Sequence, residues 1–105
     1  MDRTTAISKV KKYAKLVTST YSADKIVLFG SYATNTYRED SDIDVAVITS
    51  EITGDWLDMA TQLCKLRRSV DFNIEPVLVD ENNDPSGFVA DILKHGIVVY
   101  EKSLA

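Results

Sequence analysis

Apolar residues recur at spacings of three and four early in the chain, which places Ile7, Val10, Ala14, Val17 and Tyr21 on one stripe of a helix over about residues 4–20. DKIVLFG at 24–30 follows as a short unbroken apolar run ended by glycine, the pattern of a central strand covered on both faces. Residues 31–36 suit a short helical turn. DIDVAVIT at 42–49 then alternates, with Ile43, Val45 and Val47 facing one way and Asp42, Asp44 and Ala46 the other. A further helix is predicted over about 55–68, with Trp56, Ala60, Leu63 and Cys64 on its apolar side. Arg67 and Arg68 fall near its C-terminal end, where cations suit the helix dipole.

VDFNIEPVLVD at 70–80 reads as a third strand, in which Phe72 and Ile74 alternate with Asp71, Asn73 and Glu75. Pro76 cannot donate to a ladder and marks an edge or a bulge. A polar, breaker-rich loop at 81–87, a short helix at 87–95 and a last strand IVVYE at 97–101 complete the order. There are no internal repeats and no low-complexity tract, so the 105 residues are expected to form one domain, 1–105, around a single small core.

Charge and cysteine usage narrow the function. A net charge of −4 argues against general nucleic-acid binding, which needs a basic patch to release phosphate counterions. Lys9, Lys11, Lys12 and Lys15 are a local exception, read first as the solvated face of the first helix and second as a face for an acidic partner. The single cysteine, Cys64, has no intrachain disulfide partner and reads as a packed thiol. No signal-peptide pattern and no run approaching the roughly 18 apolar residues of a membrane span is present, so a soluble, cytoplasmic protein is expected.

The chemistry-bearing stretch is GSYATNTYREDSDIDVAVI at 30–48. Asp42 and Asp44, two apart in a strand, project from one face with Cβ atoms roughly 6–7 Å apart. Their repulsion is relieved by a divalent cation, and Mg²⁺ takes a few carboxylates together with waters and phosphate oxygens. Asp71, at the start of the next long strand, joins this cluster if the two strands pair. Glu75 shares its phase and competes as the third ligand. Upstream, Gly30 permits close backbone approach to a ligand, Ser31 offers a hydroxyl, and N–H groups at a helix start favour an anion. A nucleoside triphosphate held with metal ions fits these pieces. Taken singly each is ordinary, a turn or an acidic loop; their order and spacing carry the reading.

LFGSYA, then SDIDVAV, then VDFNI resembles the DNA polymerase β-like nucleotidyltransferase superfamily over about residues 5–101. The short length resembles its minimal nucleotidyltransferases, the MNT proteins paired with HEPN-domain partners. The resemblance implies an α+β nucleotidyltransferase fold, a small mixed β-sheet with helices packed mainly on one face and the acidic cluster on the other. It implies that Gly30 and Ser31 bind the triphosphate, that Asp42 and Asp44 hold two Mg²⁺ ions, and that Asp71 is the third carboxylate and helps to deprotonate the attacking hydroxyl. The activity implied is transfer of a nucleoside monophosphate, AMP from ATP, to a hydroxyl of a HEPN ribonuclease toxin, with this chain as its antitoxin. Alternatives are a binding-only antitoxin subunit, or nucleotidylation of a small molecule such as an aminoglycoside. Minimal members commonly read Gly-Ser-x-Ala-Arg-Gly, whereas Thr34 and Asn35 stand here in place of Arg-Gly, with Arg38 four positions on. His95 reads as a helix-end residue, Tyr32 and Tyr37 as packing or surface residues beside the loop, and Trp56 as core.

Overall fold

The structure is a computed structural model that describes residues 1–50, 52 and 54–102. Its elements run α1 (Arg3–Thr20), β1 (Lys25–Phe29), α2 (Ser31–Thr34), β2 (Ile43–Thr49), α3 (Trp56–Leu66), a 3₁₀ turn (Arg67–Ser69), β3 (Ile74–Asp80), α4 (Phe88–His95) and β4 (Ile97–Glu101). The four strands form one mixed sheet in the order β3-β2-β1-β4, with β2 antiparallel to β1, β1 antiparallel to β4, and β3 parallel to β2. The expected α+β class and mixed sheet are therefore present, and β3 is an edge strand, as Pro76 required.

Strand alternation divides the core. Ile26, Leu28, Ile43, Val45, Val47, Ile74 and Leu78 pack on one face, beneath α1, α2 and α3. Val27, Ala46, Ile48 and Val79 pack on the other with Ile92 of α4. Three helices thus share one face and α4 lies opposite. The continuous apolar run of β1 is explained by this two-sided cover, since both of its faces are buried between Ile26 and Leu28.

Two helices are rotated from the expected phase. In α1 the buried residues are Ala6, Val10, Tyr13, Ala14 and Val17, with Ile7 and Tyr21 at the margin. Tyr13 takes the central position because its phenol donates to the Leu63 carbonyl of α3 at 2.6 Å, which satisfies a polar atom that burial would otherwise penalise. In α3 the inward stripe is Met59, Leu63 and Leu66, so Trp56, expected in the core, is 40% exposed at the helix start and Cys64, expected packed, is exposed. Among the described residues no helix is long and apolar enough to cross a membrane.

Candidate active site

The site lies at the end of the sheet where β1 finishes and β2 and β3 begin. Gly30 leaves β1 with φ 74° and ψ −151°, a left-handed value that side chains with a Cβ rarely adopt. A Cβ on Gly30 would also collide with the Asp44 carboxylate, whose Cγ would lie 3.1 Å away. Backbone and carboxylate are in direct contact here, and only glycine permits it. Phe29, the residue before, is the register partner of Asp44 across the β1–β2 ladder.

The chain then makes the four-residue helix α2. Ala33 and Thr34 N–H groups both donate to the Gly30 carbonyl at 3.1 Å, and the first N–H groups of the turn, at Ser31 and Tyr32, have no carbonyl behind them within the helix. Tyr32 is fully buried and stacks on Tyr37 with ring centroids 4.6 Å apart, which anchors the underside of the loop. Asn35 closes α2 at φ 62°, the left-handed position that glycine and asparagine fill best. It thereby does the conformational work of the family glycine. Arg3, in the first turn of α1, donates from Nη2 to the Ala33 carbonyl at 2.9 Å and ties the end of α2 to the neighbouring helix. Arg38 is exposed and takes no such role. The contribution of Arg3 was illegible in the sequence, because the two contacting residues are 30 positions apart.

Asp42 is exposed just before β2, and Asp44 is half-buried inside it. Burial raises the pKa of Asp44 above the ordinary carboxylate value, and the charges of Asp42 and Glu75 raise it further. Glu75 is the register partner of Asp44 on β3, so the two side chains leave the same face of adjacent parallel strands. Glu75 is half-exposed, with Arg67 Nη1 at 3.5 Å from its Oε1.

Asp71, expected to open the third strand, lies before it. β3 starts only at Ile74, and the preceding residues form a turn in which Asp71 Oδ1 accepts from the Asn73 N–H at 2.7 Å. Its other oxygen pairs with Lys9 of α1, and both contacts hold its pKa below the usual range, the Lys9 contact foremost. Asp71 and Glu75 would share a phase only if the strand extended back through residue 71; the Asx turn breaks that alternation. Phe72, 66% exposed, leaves the apolar face for the same reason. Asp44 and Glu75 thus stand side by side in register, with Asp42 just before β2 and Gly30 against Asp44, while Asp71 lies on the side of α1.

The donor set at this end is all oxygen, which suits a hard cation such as Mg²⁺. A divalent charge among Asp42, Asp44 and Glu75 would relieve the repulsion that raises Asp44. Among the described residues no group of three His, Cys, Asp or Glu side chains is placed to hold a metal ion. Mg²⁺ sites normally use one or two carboxylates and draw the remaining ligands from phosphate and water.

Comparison with known proteins accords with this geometry. Residues 9–104 match the family described as Polymerase beta, Nucleotidyltransferase. The chain belongs to that family and is a nucleotidyltransferase. A relative from Methanocaldococcus jannaschii, named "Putative protein adenylyltransferase", is 31% identical over 96 residues, covering 87% of this chain and 94% of the relative. The fold matches a "putative nucleotidyltransferase" of Sulfolobus solfataricus with TM-score 0.71, at 19% identity over 95% of this chain and 84% of that one. It also matches a toxin-antitoxin structure with AMP-PNP, with TM-score 0.67 and 26% identity over 89% of this chain and 74% of that one. A third match is the complex of tri-AMPylated Shewanella oneidensis HEPN toxin with MNT antitoxin, with TM-score 0.64 and 24% identity over 92% of this chain and 73% of that one.

Proposed function

We propose that this chain transfers AMP from ATP to a hydroxyl of a protein partner, and that the partner is a HEPN-domain toxin for which the chain is the antitoxin. The observation that carries the reading is the contact of Gly30 with Asp44, because it sets a backbone turn suited to phosphate directly against a carboxylate that burial, and then the charges of Asp42 and Glu75, discourage from ionising. The M. jannaschii relative's name and the AMPylated toxin in the S. oneidensis complex support adenylyl transfer and this class of partner.

In this reading the N–H groups at the start of α2 and the Ser31 hydroxyl hold the triphosphate oxygens, which the buried Tyr32 and the Arg3 clamp keep in place. Two Mg²⁺ ions, bound through Asp42 and Asp44, would offset charge on the attacking and leaving oxygens of an in-line displacement at the α-phosphorus. Glu75, on the opposite side of Asp44 from the turn, orients the incoming hydroxyl and accepts its proton. Lys9 keeps Asp71 engaged elsewhere, so we assign the third carboxylate to Glu75.

Incubation with α-labelled ATP, Mg²⁺ and a candidate HEPN-domain partner protein tests the proposal. Label should pass to the partner protein and vanish in Asp42→Ala plus Asp44→Ala. Persistent labelling in the double variant would sink the metal assignment, and label appearing only on a small hydroxylated molecule would sink the protein acceptor.

A further inference from the structure

Sheet order gives the active site two sides. Gly30 and Ser31 follow β1, on one side of Asp44, and Glu75 lies on β3, on the other. A triphosphate on the β1 side leaves the β3 side for the acceptor. Beyond Glu75, the same face of β3 carries Val77 and then Val79, each one pleat of about 7 Å further on. There a groove of about 410 Å³ is lined by Trp56, Val77, Val79 and Phe88, with Asp80 and Asp84 among its polar residues. Trp56 and Val77 are 40% and 38% exposed and lie together in this groove.

β3 is also the edge strand of the sheet on this side. The Asn73 carbonyl accepts from the Ile43 N–H at 2.8 Å, which fixes the alternation of the parallel ladder: Asn73, Glu75, Val77 and Val79 turn toward β2, and Pro76 and Leu78 turn outward. Proline on an outward position costs no bond within the sheet. At the flanks the outward groups are engaged, since the Ile74 carbonyl accepts from Arg67 and the Asp80 carbonyl from Asn83. Among the described residues, the Pro76 carbonyl and both backbone groups of Leu78 between them make no hydrogen bond within the sheet.

We propose that this groove seats an extended segment of the acceptor protein, which adds alongside β3 with its reactive hydroxyl beside Glu75. The inference rests on the protein-acceptor reading above. Residues two and four from the hydroxyl fall over Val77 and Val79, where apolar side chains are covered by Trp56 and Phe88. Asp80 and Asp84, whose carboxylates accept from the Asn82, Phe88 and Val89 N–H groups, add negative charge that favours a basic side chain at the far end. Backbone pairing supplies affinity and the alternate side chains supply selectivity.

Val77→Glu and Trp56→Ala test the proposal, since both sites are partly exposed and either variant serves if the other folds poorly. The measurements are the affinity for Mg·AMP-PNP, the oligomeric state by ultracentrifugation, partner binding, and labelling of the HEPN-domain protein. Nucleotide affinity should stay within about twofold, while the KM for the partner rises about 10- to 30-fold, as for an interface anchor, and kcat at saturating partner stays close to wild type. An unchanged KM in both variants overturns the inference. So does a loss of nucleotide affinity, which would make the groove a base pocket, or the conversion of a dimer to a monomer, which would make it a self-interface. If the wild type binds the partner through this groove without labelling it, the docking surface stands and the transfer reading falls.

Discussion

Asp44 and Glu75 are register partners on adjacent parallel strands, whereas Asp71 is held away from them by Lys9. Removing the Glu75 carboxylate should therefore damage chemistry, and removing the Asp71 carboxylate should damage stability. For Glu75→Gln we expect labelled transfer to fall by about 100-fold or more, the usual range for a lost general base, with an unchanged melting temperature. Asp71→Asn should transfer AMP within about threefold of wild type. The reverse pattern would return the third carboxylate to Asp71.

The Lys9–Asp71 pair also predicts an acid-dependent loss of stability. Asp71 has its folded-state pKa depressed, so its contribution is fully present above the unfolded carboxylate value of about 3.9 and is lost as pH falls through the folded value. The two side chains are 32% and 16% exposed, and solvent screening limits the pair to about 1 kcal/mol. Urea unfolding of wild type and Asp71→Asn at pH 7 should differ by this amount. The difference should shrink toward zero near pH 2, and a constant offset across that range would show that the carboxylate charge is not its source.

The order of elements was legible because each has its own period: three-four spacing in α1, an unbroken apolar run in β1 and alternation in β2. Gly30, Ser31, Asp42 and Asp44 were legible as a group because a glycine turn and two in-phase carboxylates lie within one short stretch of chain. What periodicity could not locate was the first residue of β3. Asp71, Asn73 and Glu75 alternate equally well whether or not the strand includes residue 71, and the decision belongs to an Asx turn and to a lysine from a distant helix. Trp56 failed for a related reason. Asp55 caps α3 by accepting from the Leu57 N–H, which fixes where the helix starts, but the face it buries is chosen by the packing of Met59 and Leu63 against the sheet.

Tyr32 predicts a substitution that improves the fold. Its hydroxyl is buried with no hydrogen-bond partner among the described residues, and burial, followed by the charges of Tyr37 and Asp71, raises its pKa. An unmet buried hydroxyl costs roughly 1–3 kcal/mol, while the ring supplies the stacking on Tyr37. Tyr32→Phe should keep the stack and raise the melting temperature by a few degrees. A lower melting temperature would mean that the hydroxyl is satisfied in solution.

Arg3 should act on nucleotide binding through the loop it clamps. Arg3→Ala removes the donor to the Ala33 carbonyl, and we expect affinity for Mg·AMP-PNP to weaken by about tenfold, the scale of one charge-assisted hydrogen bond. Arg3→Lys keeps a positive donor and should recover part of the loss. Calorimetric titration checks both, and equal affinity in wild type and Arg3→Ala would leave α2 positioned by Tyr32 and Asn35 alone.

Gly30→Ala combines two effects that Gly54→Ala separates. Both glycines have positive φ, 74° and 76°, so each alanine is strained whatever space surrounds it, and Gly30, at ψ −151°, sits in a region essentially reserved for glycine. A Cβ at Gly54 meets nothing within 4 Å, whereas one at Gly30 runs into the Asp44 carboxylate. Gly54→Ala should therefore show only the modest stability loss, with transfer unchanged. Gly30→Ala must move either the α2 turn or Asp44, and in both cases the phosphate-binding backbone parts from the carboxylate beside it. Its transfer activity should fall below one-hundredth of wild type, a larger loss than strain alone explains, since displacements of about 1 Å can cost 10²-fold. If the two alanine variants lose activity equally, close contact between the turn and Asp44 is not what the reaction requires.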